Sequence, residues 1–221
     1  SGMGGSAASA AAAITAAAAF LKKKLPLERL LEYALTGEQV ASGARHADNL
    51  APCLWGGMTC VVADDPIAVV QIPVPRRLVC VLVRPQARLD TREARGILRA
   101  DLALKDHVRQ SASLAGVLAG CYTNDLELIG RTLRDYIIEP QRASLIKGFD
   151  QVAEAARESG ALGCSISGAG PSVFAWVDGA ARARRVKEIM VSAFHNSGVE
   201  CEAWVSPVGT RGARLVKSGK R

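Results

Sequence analysis

Apolar positions in the first third of the chain follow a helical period and then a strand period. Alanine dominates Ala7–Phe20, which predicts a helix whose small side chains allow close packing against a sheet. The next segment, "LPLERLLEYALTGE", repeats its apolar residues at near-helical spacing and has Pro26 at its entry, a favoured residue for a first helical turn. Two β-prone runs in "MTCVVADDPIAVVQIPV" surround Asp64-Asp65-Pro66, and they predict a hairpin.

The rest of the chain alternates between helical and strand patterns. The run "RRLVCVLVRP" predicts a buried strand that Pro85 closes, and helices are predicted in "TREARGIL", "DHVRQSASLAGVLAGCY", "DLELIGRTLRDYI" and "FDQVAEAARESGA". A strand, a glycine loop and a strand are predicted in "GCSISGAGPSVFAWV", then a helix in "ARARRVKEIMVSAF" and strands in "VECEAWVSPV" and "GARLVK". This order predicts an α+β fold with a sheet backed by helices, and "IPVPRR" places a domain boundary near Val74–Arg77.

Composition restricts the class of protein. The 221 residues are 49% apolar and 22% charged, which is typical of a globular chain with one large domain or two small ones. The net charge of +7 suits an anionic partner, but the scattered basic residues and the 5% aromatic content argue against nucleic acid. The alanine-rich run is shorter than the roughly 20 residues that span a membrane. Six widely spaced cysteines without a C-x-x-C pair indicate a reducing compartment and neither zinc nor a disulfide framework.

The first residues of the chain form a glycine-rich loop before the alanine helix. The run from Gly2 to Ala7 formally matches G-x-G-x-x-A, but no strand precedes it and no acidic residue lies about 20 positions later, as a dinucleotide site requires. A Walker A loop is excluded because the lysine is missing. Two interpretations remain, an anion site at the helix N-terminus and a simple helix entry capped by Ser6.

A phosphate loop that lacks lysine needs a metal to neutralise phosphate charge. Mg²⁺ prefers hydroxyl and carboxylate oxygens. Ser6 offers a hydroxyl at the start of the helix, and Glu38 is a candidate carboxylate.

Five segments together resemble the homoserine kinases of the GHMP small-molecule kinase superfamily: "SGMGGSAASAAAA", "GEQVASGARHADNLAPCLWGG", "TREAR", "EPQR" and "GCSISGAGPSVFA". The resemblance implies a two-lobed α+β architecture. Residues 1–75 would be the remainder of a ribosomal-protein-S5-like N-terminal domain that binds ATP phosphates, and residues 76–221 a ferredoxin-like C-terminal domain. The implied activity is ATP-dependent phosphorylation of L-homoserine to O-phospho-L-homoserine, a step towards threonine.

The resemblance also implies roles for individual residues. Mg²⁺ would be held by Ser6 and Glu38, and the ATP phosphates would be wrapped by Gly2, Met3, Gly4, Gly5, Ser6 and Ala7. The homoserine pocket would comprise His46, Asp48, Asn49, Thr91, Arg95, Arg142 and Gly168. Arginine offers a carboxylate two parallel donors, which suits the homoserine carboxylate. No general base is assigned, although Asp48 is a conceivable candidate.

Two departures from the family pattern stand out. Gly5 replaces a serine that the family commonly has, and no strand precedes the loop. Because no strand precedes the loop, we expect the chain to be a fragment. Its missing N-terminal segment would carry strands of the first domain and much of the adenine site.

Alternative functions stay open at this point. They are a GHMP kinase for another alcohol of the mevalonate type, and a catalytically silent member that binds a metabolite or a protein partner. We expect ATP and a small molecule as partners, no nucleic acid or membrane, a homodimer as an open question, and a cytoplasmic location, or a plastid in a plant. Structural or surface roles are expected for the remaining singled-out residues: His107, His195, Asp135 on a solvated helix face, and Trp55, Trp176 and Trp204 in the core.

Overall fold

The structure, a computed structural model, describes residues 2–42, 46–87, 89 and 91–216. The chain forms two compact units. One comprises Gly4–Pro73 with Gly209–Arg221 and is called the helical unit, and the other comprises Ser1–Met3 with Val74–Val208 and is called the sheet unit.

The described part of the helical unit contains helices and one hairpin. Its elements are α1 (Gly5–Ala18), α2 (Leu27–Ser42), α3 (Leu50–Trp55), β1 (Met58–Asp64) and β2 (Ile67–Ile72). The two strands pair antiparallel, with Met58 opposite Ile72, so the predicted hairpin is confirmed. The core of this unit is built from leucines of α2 and α3 and from Ala7 and Ala11 of α1.

Helix α1 differs from its prediction in what it packs against. Its main packing partners among the described elements are α2 and α3, and its buried alanines Ala7 and Ala11 share a core with the leucines of those helices. A methyl side chain lets another helix approach closely as readily as it does a sheet, so alanine content alone does not decide between the two partners.

The sheet unit combines four strands with helices. Its strands are β3 (Leu78–Pro85), β4 (Ala161–Ile166), β5 (Val173–Asp178) and β6 (Cys201–Pro207). Its helices are α4 (Thr91–Gly96), α5 (Leu104–Thr123), α6 (Leu126–Thr132), α7 (Glu139–Arg142), α8 (Phe149–Glu158) and α9 (Ala180–Asn196).

The strand order of this sheet is β4-β5-β3-β6, and all of its pairs are antiparallel. The order of elements along the chain is that of a ferredoxin-like fold, as predicted. One strand–helix–strand unit (β3, α8, β4) is followed by a second (β5, α9, β6). Helices α8 and α9 cover the sheet because each has an apolar stripe at helical spacing. In α9 the stripe is Ala183, Val186, Met190 and Phe194, all fully buried.

Three predictions for the sheet unit and the C-terminal segment were wrong. The helix predicted over "DLELIGRTLRDYI" ends at Thr132, because the carboxylate of Asp135 binds the following backbone amides instead of lying on a solvated helix face. "GARLVK" forms no strand over its described residues 212–216, and the Ala213 amide donates to the Cys53 carbonyl. Trp204 is 42% exposed because it lies on the outward face of the edge strand β6.

Among the described residues, no helix combines the length and apolar character that a membrane crossing requires.

Candidate active site

The loop before α1 begins in close contact with the β4–β5 loop of the sheet unit. Gly2 has φ +65°, and a Cβ added there would lie 2.3 Å from the Ser167 carbonyl oxygen and 2.9 Å from that of Gly170. The Ser167 hydroxyl donates to the Gly2 carbonyl over 2.6 Å. Only glycine fits this position, since both the backbone conformation and the packing exclude a side chain.

The same loop ends in the helical unit, at the N-terminus of α1. Gly4 has φ +63° and is the N-cap of the helix, and as a glycine it has no side chain with which to cap the first turn. A Cβ on Gly4 would lie 3.0 Å from Oδ1 of Asn49. The backbone N–H groups of the first turn and the positive end of the 14-residue helix therefore form a favourable environment for an anion.

Ser6 and Glu38 are brought together across two helices of the helical unit. The Ser6 hydroxyl, one residue into α1, donates to Glu38 Oε1 over 2.9 Å. Glu38 lies on α2 and is only 9% exposed. A buried carboxylate beside a hydroxyl at a helix N-terminus is a pair of oxygen ligands with a net negative charge.

This donor set fits Mg²⁺. The ion takes oxygen ligands, retains several waters and commonly uses only one or two protein groups together with substrate phosphates. Ser6 and Glu38 supply one hydroxyl and one carboxylate oxygen within hydrogen-bond distance of each other.

The motif "HADN" leads into α3. Asp48 Oδ1 accepts a hydrogen bond from the Asn49 amide over 3.0 Å, and both residues are exposed. His46 is exposed as well. Of the three, Asn49 is the residue whose side chain lies against the glycine loop, through Gly4.

In the sheet unit, Arg142 is a buried cation held by two carbonyl groups. Its Nε donates to the Ala94 carbonyl over 2.8 Å and its Nη1 to the Gly168 carbonyl over 3.2 Å. Burial lowers the pKa of Arg142, the positive charge of Arg95 lowers it further, and Asp135 acts in the opposite direction. Within the described residues, no carboxylate forms an ion pair with Arg142 or Arg95. A buried guanidinium group with a second arginine near enough to affect its pKa is suited to binding an anion such as a carboxylate.

The other predicted residues vary in their surroundings. Thr91 begins α4, but its side chain lies outside the described part of the chain. Met3 is 43% exposed and Ala7 is buried. A Cβ on Gly5 would meet nothing within 4 Å, so the family's serine would fit there.

Comparison with known proteins decides the family. The chain is 48% identical to the homoserine kinase of Xylella fastidiosa (strain M12) over 216 residues, which are 98% of this chain and 66% of the relative. It is 45% identical to the homoserine kinase of Chlorobium phaeovibrioides over 218 residues, covering 68% of that protein. The crystal structure of homoserine kinase from Cytophaga hutchinsonii superimposes with a TM-score of 0.93 at 42% identity, over 96% of this chain and 67% of the other. The chain belongs to the homoserine kinase family.

Both halves of this homoserine kinase family member match the wider superfamily. Residues 1–57 match the GHMP kinases N terminal domain, and residues 117–196 match GHMP kinases C terminal. The α+β GHMP kinase fold predicted from the sequence is thereby confirmed. The chain spans about two thirds of the length of the relatives it matches.

Sequence reasoning missed several residues that shape this part of the homoserine kinase fold. Ser167 anchors Gly2 by its hydroxyl, and Asp135 and Gln141 bind the backbone around α7. The only signal for Ser167 was its place in "SISGAGP", and Asp135 carried the signal of a cap, a short acidic side chain just before a helix.

The carboxyl of Glu139, on α7, provides a test of local electrostatics. Burial raises the pKa of Glu139, and the nearby carboxylates of Asp135 and Asp150 raise it further. A hydrogen bond with Ser165 and the ion pair with Arg157 at 3.8 Å only partly offset this. Oε2 of Glu139 has no hydrogen-bond partner among the described residues. A raised folded-state pKa means that ionised Glu139 costs stability at neutral pH, and that this cost disappears as the pH falls towards and below the ordinary value of 4.5.

We therefore expect Glu139→Gln to increase the free energy of unfolding at pH 7 and to leave it nearly unchanged below pH 4.5, measured by urea denaturation at several pH values. The matched control is Glu154→Gln, at an exposed position on α8. A Glu139→Gln variant that is less stable than the parent at pH 7 would show that the ion pair outweighs burial.

Proposed function

We propose that the whole protein transfers the γ-phosphoryl group of ATP to the side-chain hydroxyl of L-homoserine and releases ADP and O-phospho-L-homoserine. The observation that carries the proposal is the buried guanidinium of Arg142, close enough to Arg95 for the charge of Arg95 to lower its pKa, in a member of the homoserine kinase family. Homoserine differs from a plain alcohol by its carboxylate, and two guanidinium groups are the donors that recognise a carboxylate most strongly.

Binding of the ATP phosphates is assigned to the glycine loop and the start of α1. Backbone N–H groups of residues 4–7 would bind phosphate oxygens, and Ser6 and Glu38 would hold Mg²⁺. Bound Mg²⁺ would supply charge neutralisation for the phosphates, a function that lysine serves in other phosphate loops. The hydrogen bond between Ser6 and Glu38 and the burial of Glu38 support this assignment.

The chemical step is a direct in-line displacement. The homoserine hydroxyl oxygen forms a bond to the γ-phosphorus, the bond from that phosphorus to the β–γ bridging oxygen breaks, ADP leaves, and the hydroxyl proton passes to solvent. Asp48 is not assigned as a base, because it is exposed and its carboxylate accepts a hydrogen bond from the backbone amide of Asn49. Positioning and charge stabilisation are then the protein's main contributions to the rate.

A cytoplasmic location is part of this proposal. The six cysteines are free, which suits a reducing compartment, and ATP is supplied there. Homodimerisation stays a prediction that the mass of the protein in solution would test.

The deciding experiment measures ADP release by the whole protein with ATP, Mg²⁺ and a panel of alcohols. L-homoserine is expected to give the highest kcat/KM, at least about 100-fold above mevalonate, because mevalonate lacks the α-amino group and has its carboxylate one carbon further from the terminal hydroxyl. ADP release that does not depend on homoserine, or a preference for mevalonate, would overturn the substrate assignment.

The metal assignment is tested in the same assay with Ser6→Ala and Glu38→Gln. Each is expected to lower kcat by about 100-fold and to weaken the dependence on Mg²⁺ concentration. Matched controls are Ser9→Ala, one turn further along α1, and Glu28→Gln at the start of α2. Full Mg²⁺-dependent activity in Ser6→Ala or Glu38→Gln would contradict the assignment.

A further inference from the structure

Helix α7 is too short to be stable by itself. It contains only the four residues Glu139–Arg142, and its N-cap residue, Ile138, has no side chain that accepts a hydrogen bond. Isolated helices of this length do not persist in water, because one or two hydrogen bonds do not compensate for the ordering of the backbone. The segment must therefore be held by side chains from outside the helix.

Asp135 provides the first of these connections. Its Oδ1 accepts hydrogen bonds from the amides of Ile137 and Ile138, both over 2.8 Å, and its Oδ2 accepts one from the amide of Glu139 over 3.2 Å. One carboxylate thus satisfies the backbone donors that enter α7, including donors that a helix N-terminus leaves unpaired. Charge-assisted bonds of this kind are stronger than bonds between neutral groups.

Two further connections join α7 to the segment that carries Arg95. Nε2 of Gln141 donates a hydrogen bond to the Ile137 carbonyl over 2.6 Å. Oε1 of the same side chain accepts a hydrogen bond from the Arg99 backbone amide over 2.8 Å. Arg142 donates to the Ala94 carbonyl, next to Arg95 in α4. The position of Arg142 relative to Arg95 therefore depends on how α7 is held.

Arg142 also keeps donors available. A guanidinium group has five N–H donors, and the two bonds to the Ala94 and Gly168 carbonyls use two of them. Those two bonds fix the plane of the guanidinium group and thereby the directions of its remaining donors.

We propose that Asp135 is a positioning residue for substrate recognition. By binding the backbone amides of residues 137–139, it holds Arg142 at the distance from Arg95 at which both arginines bind the substrate carboxylate. This inference rests on the proposed function, which assigns a homoserine carboxylate to the two arginines. Asp135 does not touch the substrate, and it acts through Arg142. The role predicts a selective effect on homoserine, whereas a purely structural cap predicts a loss of stability that is indifferent to the substrate.

The test compares Asp135→Ala with Asp135→Asn in the whole protein. Alanine removes all three acceptor bonds, so KM for homoserine is expected to rise by about 10-fold to 100-fold while KM for ATP stays within about twofold. Asparagine keeps a carbonyl oxygen at the Oδ1 position, where two of the amides bind, and is expected to restore most of the homoserine affinity.

A matched control is available in the same unit. Asp125 caps α6 by accepting the Leu128 amide over 2.9 Å, so Asp125→Ala removes a similar cap from a helix outside the proposed site. It is expected to lower the melting temperature and to leave both KM values unchanged. If Asp135→Ala does not fold, Gln141→Leu tests whether the position of α7 controls substrate recognition, because it removes another bond that holds this helix, the one from the Arg99 amide. It is then expected to raise KM for homoserine selectively, as Asp135→Ala would.

The outcomes separate the two proposals. A parent protein that does not phosphorylate homoserine contradicts the proposed function. A parent that does so, with an Asp135→Ala variant (or Gln141→Leu in its place) whose KM values for homoserine and ATP rise equally or not at all, overturns the positioning role and leaves the proposed function standing.

Discussion

Replacing Arg142 with lysine is expected to lower kcat/KM for homoserine by at least about 30-fold, because truncating one member of a buried charge contact costs about 2–5 kcal/mol. Lysine keeps the positive charge but has a single nitrogen, so it cannot bind the Ala94 and Gly168 carbonyls and a carboxylate in one plane. KM for ATP is expected to change little. Steady-state kinetics with each substrate varied in turn provides the measurement.

The control for this substitution is Arg84→Lys. Arg84 lies on β3 and forms an exposed ion pair with Glu202, so its replacement is expected to leave both activity and stability near those of the parent. An Arg142→Lys variant with unchanged kcat/KM for homoserine would show that the planar fork of this guanidinium is not used for substrate binding.

Gly2→Ala is expected to have the second large effect. The added methyl group would overlap the Ser167 and Gly170 carbonyl oxygens, and the backbone at φ +65° already disfavours any residue with a Cβ. We expect the free energy of unfolding to fall by about 1–3 kcal/mol. KM for ATP is expected to rise, because the loop proposed to bind the ATP phosphates must move.

Gly5→Ala is the matched control for Gly2→Ala, since it adds the same methyl group three residues further along. The space around Gly5 is open and the residue lies in the first turn of α1. Replacing glycine by alanine restricts the unfolded chain, so Gly5→Ala is expected to leave the free energy of unfolding unchanged or slightly higher. Denaturation by urea, followed by circular dichroism, distinguishes the two variants, and equal effects of both would refute the steric argument.

Local patterns were sufficient to predict much of the fold. The hairpin followed from two β-prone runs around Asp64-Asp65-Pro66, and the buried stripe of α9 followed from its helical spacing, because both signals depend only on neighbouring residues. The early end of α6 was not predictable in this way. It results from competition between helical hydrogen bonds and the side chain of Asp135, and propensity scales do not include that competition.

The candidate site shows a different limit. Glu38 on a helix carries no local signal that separates it from a solvated surface residue, and only its contact with Ser6, 32 positions earlier, distinguishes it. Likewise, Arg95 and Arg142 are 47 positions apart, and their proximity depends on α7 and its connections. Such contacts were accessible from the sequence only through the resemblance to a known family.

The open space at Gly5 bears on how this loop should be searched for in other sequences. Gly2 and Gly4 are constrained by positive φ and by close neighbours, whereas position 5 tolerates a side chain without any rearrangement. A search pattern that demands serine at that position would discard functional members for a residue that the backbone does not require. A pattern that fixes Gly2, Gly4 and the serine at position 6, and leaves position 5 free, follows the physical constraint.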